Sequence, residues 1–154
     1  MTFEQAVVAT KCICGAYAAG LQAIKAKHRQ LIKCQKSRRL AGSVNLDNAL
    51  AQSCPNDPRW DYAIGIHRNW DDEAIWVEVH PASSTHIGDM LNKLKWLRNW
   101  LDTADTPLKK LTKGRFYWLA TDGSVNITPN SRQAKQLAAA GLSFPKRVLD
   151  LDKV

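Results

Sequence analysis

A chain of 154 residues with 45% hydrophobic and 23% charged side chains is long enough for one domain with its own core, and too apolar to remain disordered. No apolar run approaches the roughly 20 residues that cross a bilayer. The opening MTFEQAVVATKC carries Glu4 and Lys11 and has no basic stretch ahead of an apolar one, so neither an export signal nor a membrane partner is expected, and the cytoplasm is the expected compartment.

The net charge of +8 is unevenly spread. Residues 1–46 carry Lys11, Lys25, Lys27, Arg29, Lys33, Lys36, Arg38 and Arg39 against Glu4 alone, and the remainder is nearly neutral. Seven of these cations fall between Lys25 and Arg39. A positive field this concentrated attracts polyanions through counterion release, so nucleic acid is the expected partner of that segment. A solvated face or an acidic protein partner would need the same charges. Cys12, Cys14, Cys34 and Cys54 read as free thiols, because no export signal argues for disulfides. The Cys12-x-Cys14 pair has neither the spacing nor the second pair of a structural zinc site and reads as small buried hydrophobes.

In chain order, Phe3, Val7, Thr10, Cys14, Tyr17, Leu21, Ile24, His28 and Leu31 recur at steps of four and three. They predict a helix from residue 3 to about 36, weakened at Gly15 and Gly20. His28 on that stripe reads as a packed residue. Gly42-Ser43 marks a stop, a short helix is expected over Asp47–Gln52, and Cys54-Pro55-Asn56-Asp57-Pro58 is a turn.

The stretch Asp61–His67 alternates with Tyr62, Ile64 and Ile66 on one face, and Ile75–His80 alternates with Ile75, Val77 and Val79 on one face. With the polar Asn69–Glu73 between them they predict an antiparallel hairpin centred near residues 70–71. Asp61, Ala63, Gly65, Trp76, Glu78 and His80 then share the other face, with Asp61 across from His80 and diagonal to Glu78. The small Ala63 and Gly65 leave room beside them for a ligand. Pro81 is expected to end the strand. A helix capped by Ser83, Ser84 or Thr85 runs to about Leu101, with Ile87, Met90, Leu91, Leu94, Leu97 and Leu101 apolar and Lys93, Trp96 and Trp100 on a neighbouring face. After a loop at Thr103–Pro107, Phe116–Thr121 reads as a strand, Asp122-Gly123 as a tight turn and Ser124–Thr128 as the returning strand. Ser131 caps a last helix, Arg132–Ala140, closed by Gly141. The tail from Phe144 has no periodicity. The expected fold is a single α/β domain: a central mixed sheet with an antiparallel hairpin, flanked by helices, with residues 1–42 as a basic helical region on or beside a core of residues 43–154.

Two carboxylates and an imidazole on one strand face are a candidate site. Paired carboxylates repel unless a proton or cation lies between them, and Mg²⁺ takes such oxygen ligands. A strand facing water would also alternate polar with apolar, so Asp61, Glu78 and His80 equally fit a solvated face.

The run Pro55-Asn56-Asp57-Pro58-Arg59-Trp60-Asp61-Tyr62-Ala63-Ile64-Gly65-Ile66, followed by Trp76-Val77-Glu78-Val79-His80, resembles the restriction-endonuclease-like PD-(D/E)XK nucleases over about residues 43–102. The resemblance implies an αβββαβ core and phosphodiester hydrolysis dependent on Mg²⁺ or Mn²⁺, on DNA ahead of RNA. It makes Asp61 and Glu78 the motif acids and metal ligands, with the Val79 carbonyl as a further ligand. His80 stands where the family has lysine, and Trp60 where it often has proline. Some members carry the lysine on the following helix, where this chain has Lys93. The site residues implied are therefore Asp61, Glu78, His80 and Lys93. Two other readings stay open: a non-catalytic module that binds nucleic acid, a protein partner or another copy of itself through the basic segment and Trp70, Trp96 and Trp100; and a metal-independent ribonuclease with Glu78 as base and His80 as acid.

Overall fold

The computed structural model describes residues 1–154. Its elements are α1 (Phe3–Val8), β1 (Tyr17–Ala18), α2 (Ala26–Arg29), β2 (Ile32–Lys33), β3 (Leu40–Asn45), α3 (Leu46–Ala49), β4 (Tyr62–Ile66), β5 (Glu73–Ser83), α4 (Ile87–Thr103), α5 (Leu108–Leu111), β6 (Thr112–Asn126), α6 (Arg132–Ala140) and β7 (Leu149–Asp150). Five strands form one mixed sheet in the order β1-β3-β4-β5-β6, antiparallel except for the parallel β5–β6 pair. Strands β2 and β7 pair in parallel as a separate ribbon. No helix is long and apolar enough to cross a membrane.

Alternation in β4 and β5 sends side chains to two different cores. Ala63, Trp76 and Trp118 pack with Phe3, Val7, Met90, Leu94 and Leu97 on the face covered by α1 and α4. Tyr62, Ile64, Ile66, Ile75, Val77 and Val79 pack with Ile24, Ile32, Leu149 and Leu151 on the opposite face. The predicted hairpin is present and its faces are the expected ones. Its register is two residues away from the expected pairing: Tyr62 pairs with Val77 and Ala63 with Trp76, which puts Asp61 level with Glu78 rather than His80. A shift of two preserves the faces, which is why alternation could not detect it.

The long N-terminal helix does not form. The chain makes α1, a 3₁₀ turn at Lys11–Ile13, β1, then the short α2 and β2. The burial that the stripe signals is divided between the two sides of the sheet: Phe3, Val7 and the partly buried Tyr17 pack on one, Ile24 with the partly buried Leu21 and Leu31 on the other, while Cys14 is exposed. A straight helix could reach only one of these faces. Gly20, at φ 54°, takes part in the redirection. The expected boundary at residue 42 is also absent, since Gly42 lies within β3. At φ 126°, a Cβ there would stand 2.2 Å from the Tyr17 ring. Ile13 alone of its turn points inward, so Cys12 and Cys14 are exposed rather than the buried hydrophobes expected; all four thiols are free.

Two boundaries move for one reason. Strand β5 continues through Pro81 to Ser83, because Pro81 sits where the β5–β6 register shifts and its missing N–H interrupts no regular ladder. Ala82 and Ser83 therefore remain available to pair with Val125 and Asn126. Asp122-Gly123 becomes part of a bulge between the His80–Ala120 and Ala82–Val125 pairs, with Gly123 at φ 76°, and no hairpin return follows. The tail, expected to be irregular, supplies β7. Of the remaining helices, α6 runs as expected from its Ser131 cap to Gly141 in the left-handed conformation at φ 83°, and the apolar stripe of α4 is largely buried. The serines and threonine expected to cap α4 do not: Ser84–His86 form a 3₁₀ turn ahead of it and no side chain caps it. Helix α3 starts one residue early at Leu46 behind an Asn45 cap, and α5 falls outside the expected elements.

The space expected beside Gly65 is filled. A Cβ at that position would stand 2.3 Å from Cγ of Phe3, whose ring lies against the strand. Gly65→Ala should therefore destabilise the fold by about 2 kcal/mol, read as a lower urea midpoint. An unchanged midpoint would mean that α1 moves aside without cost.

Candidate phosphodiester site

Three elements assemble the site. Asp61 immediately precedes β4, Glu78 and His80 lie on β5, and Lys93 comes from the second turn of α4. The Asp61 amide donates to Glu78 Oε1 at 2.9 Å, and the Val79 amide donates to Asp61 Oδ2 at 3.0 Å. The two acids thus clasp each other's strands just beyond the last β4–β5 pair. The carbonyl of Val79 lies on the same strand edge as the amide held by Asp61. Lys93 Nζ is 3.0 Å from Glu78 Oε2 and donates to the Arg59 carbonyl at 3.0 Å. Arg59 is itself held by the Asp47 carboxylate and the Cys54 carbonyl.

Glu78 is 1% exposed, which rules out the solvated-face interpretation for this residue. Burial first, and then the Asp61 carboxylate, push its pKa up to about 8, against the pull of Lys93. Asp61 is also raised, chiefly by burial; the Val79 amide, Lys93 and Lys25 oppose the shift. His80 is lowered by burial, helped by Lys93 and His86, so its neutral imidazole is favoured at neutral pH. Its Nδ1 is 3.9 Å from Glu78 Oε2, and its buried Nε2 has no partner. The His86 ring meets it edge-on at 5.2 Å, and Ser83 Oγ holds His86 Nδ1 at 2.7 Å.

Asp61, Glu78, Val79, His80 and Lys93 are thus brought together: strand alternation groups Asp61, Glu78 and His80, and Val79 and Lys93 stand where the family resemblance implies. His86 and Arg59 were missed. Their signals are weak: His86 lies in the strand-to-helix link and Arg59 inside the turn before β4. Trp100 is 7% exposed and packs in the core, so it is not the exposed aromatic expected; Trp70 is 96% exposed and Trp96 is half-buried. Beside His80 and Lys93 opens a cavity of about 860 Å³ along α4, bordered also by Trp96, Asn92 and Asn99.

The basic segment lies over the second core, on the opposite side of the sheet from α4. Its members separate by role. Arg39 donates to the carbonyls of Asp152 and Val154, and Arg29 to that of Ile24, so both brace the fold. Lys25, Lys27, Lys33, Lys36 and Arg38 are exposed, and none forms an ion pair. His28 packs as expected in one respect, with Nδ1 2.7 Å from the Tyr62 hydroxyl.

For Mg²⁺ the donor set is chemically apt but incomplete. No cluster of three or more His, Cys, Asp or Glu side chains forms a ready-made cage. Asp61 Oδ1 accepts no hydrogen bond, and with the Val79 carbonyl it would offer hard oxygens to an ion that keeps several waters, while both Glu78 oxygens are already held by the Asp61 amide and Lys93. These residues fit such an ion better than a fully enclosed one.

The raised carboxyl makes stability depend on pH. Between its ordinary value of 4.5 and about 8, folded Glu78 retains a proton that the unfolded chain releases, so stability falls as pH rises through that window. Glu78→Gln removes the titrating group. In EDTA the variant's thermal midpoint should gain on the parent's as pH is raised through the window. Parallel curves would mean that Lys93 keeps Glu78 ionised in the fold.

No protein-family model, curated protein or solved structure matches this chain.

Proposed function

We propose that this protein is a metal-dependent nuclease of the PD-(D/E)XK kind, in which the lysine of the motif is carried by the following helix. The observation that carries this reading is the 3.0 Å contact between Lys93 of α4 and Glu78 of β5, in a chain whose motif position 80 is histidine. The antiparallel run β3, β4, β5, followed by α4 and a β6 parallel to β5, supports it, with the short α3 and α5 as additions, as does the entry of Asp61 beside Glu78.

Each residue has a distinct task in this reading. Asp61, Glu78 and the Val79 carbonyl hold the ion. A bound Mg²⁺ or Mn²⁺ supplies charge neutralisation at a phosphoryl oxygen and lowers the pKa of a coordinated water. Lys93 favours the ionised form of Glu78 and directs positive charge toward the cavity where a phosphate would lie. Burial favours the neutral form of His80, and its Nε2 has no partner within the protein, so it would accept a proton only once the ring turns toward the cavity it borders. The exposed cations between Lys25 and Arg38 hold the backbone outside the site.

A non-catalytic nucleic-acid-binding module is the second reading, favoured by the occupancy of both Glu78 oxygens within the protein. Metal-independent ribonuclease chemistry is disfavoured, because a base 1% exposed has no direct route to a 2′-hydroxyl.

Cleavage assays on DNA and RNA with Mg²⁺, Mn²⁺ or EDTA test the proposal. Glu78→Gln should abolish cleavage and leave binding largely intact, since the amide keeps the shape but loses the charge that holds the ion. Lys93→Ala should lower kcat by about 100-fold. His80→Lys should raise metal-dependent cleavage by returning a cation to the motif position. A parent protein that cuts no nucleic acid with either ion, and whose thermal midpoint neither ion raises, would leave the binding module as the function.

Nucleic-acid affinity is also expected to depend on the exposed basic segment. Replacing Lys25, Lys27, Lys33 and Lys36 together by Ala should flatten the log–log salt dependence of binding by roughly three to four, about 0.9 for each lost phosphate contact. An unchanged slope would assign these lysines to solubility or to an acidic protein.

A further inference from the structure

The cavity along α4 has features that the hydrolytic reading does not use. Trp96 lies in its wall, stacked on Trp100 with 17° between the rings and 6.3 Å between their centroids. Its indole Nε1 donates to Asp57 Oδ2 at 3.0 Å, so the turn before β4 fixes the ring's orientation. One face of Trp96 is thereby supported while the residue remains half-buried at the cavity wall. Asn92 and Asn99 are exposed on the same helix and border the cavity, each offering an amide donor and an acceptor. Lys93 and His80 border it as well, so its inner end is the Glu78 site.

We infer that this cavity binds an unpaired nucleotide, with its base stacked on Trp96 and its adjoining phosphate beside Lys93, so that the preferred substrate is a single strand. The inference rests on the nuclease reading for what lies at the inner end. Its reasons are separate. A base within a duplex is stacked on both sides and has no face to offer an indole, whereas an unpaired base does. A volume of about 860 Å³ is of the size that takes a small ligand or one nucleotide. The charge of the lining points the same way. Lys93 and Lys95 are offset by Asp89 and Asp102, so the cavity does not provide the unbroken positive track that a run of phosphates would require. One nucleotide, recognised by stacking and by the two amides, suits that balance. The unpartnered cations of the basic segment are left to hold the rest of the strand.

The experiment measures binding without turnover. In EDTA, anisotropy and tryptophan quenching are followed with a short oligothymidylate, its oligouridylate counterpart and a blunt duplex of the same length. The parent should bind one or both single strands more tightly than the duplex; the two single strands determine whether the sugar is deoxyribose or ribose. Trp96→Ala should weaken single-strand binding by about 10-fold, with Trp96→Phe retaining most of it. Asn99→Glu, an exposed change that leaves the Trp96–Trp100 stack in place, should weaken it by placing an anion at the cavity. Equal or tighter binding to the duplex overturns the inference, as does single-strand affinity indifferent to both Trp96→Ala and Asn99→Glu. Failure of the parent to cleave with Mg²⁺ or Mn²⁺ would remove the nuclease reading while a Trp96-dependent preference for single strands still supports this cavity's role. Cleavage in a protein whose binding ignores Trp96 and Asn99 would do the reverse.

Discussion

Glu78 has its carboxyl in the covered face of the sheet, and three groups keep it there: the Asp61 amide, the Lys93 ammonium and, at longer range, the His80 ring. Burying a carboxyl costs several kcal/mol unless it is neutralised or paired. The protein answers with partners from each side: the entry to β4, strand β5 itself and helix α4. Those contacts fix how the helix seats on the sheet and where β4 begins. The Lys93–Arg59 contact adds the turn before β4 to the same assembly. The position of the site within the fold follows from how this single side chain is accommodated.

The second constraint is that the central strands have no face left for water. Every residue of β4 is buried, as are the first seven of β5. An antiparallel sheet commonly leaves one face solvated. Here two thin covers are needed, and the N-terminal 40 residues provide part of each. Their first turns lie with α4, and their later turns lie with β7 and the residues around Leu151. This division keeps the exposed lysines of residues 25–36 on the opposite side of the sheet from the cavity. Lys25 still acts electrostatically on Asp61, which lies at the sheet's rim where the two sides meet. A strand held by those lysines and entering the cavity would have to pass this rim.

Legibility of the site from sequence depended on periodicity. A period of two sorts Asp61, Glu78 and His80 onto one face whatever the register, so their grouping was readable even though the pairing was displaced by two. The stripe of α4 was equally readable, and with it the position of Lys93 on a neighbouring face. The reach of Lys93 to Glu78 was not, because it depends on the crossing of α4 over β5, which no local pattern encodes. The same limit applies to Phe3. Its contact with Gly65 joins α1 to β4 from far outside the hairpin, and a glycine on a strand face reads as space until its neighbour is known.

Sequence by itself determined the α/β class, the two apolar faces of the hairpin, the cap and closing glycine of α6, and which polar residues share the inner face of β4 and β5. These follow from interactions among residues close in the chain: alternation, helical spacing and capping. Tertiary structure decided that the apolar stripe of residues 3–31 would be cut and shared between two cores, that Asp122-Gly123 would bulge within a strand instead of turning back, and that Arg39 would brace the chain near Asp152 while its lysine neighbours remained free. In each case the deciding partner lies far away in sequence: the two faces of the sheet, the extended end of β5 and the carbonyls near residue 152. A local pattern records that a residue needs burial or a partner, and only the assembled fold determines which partner is within reach.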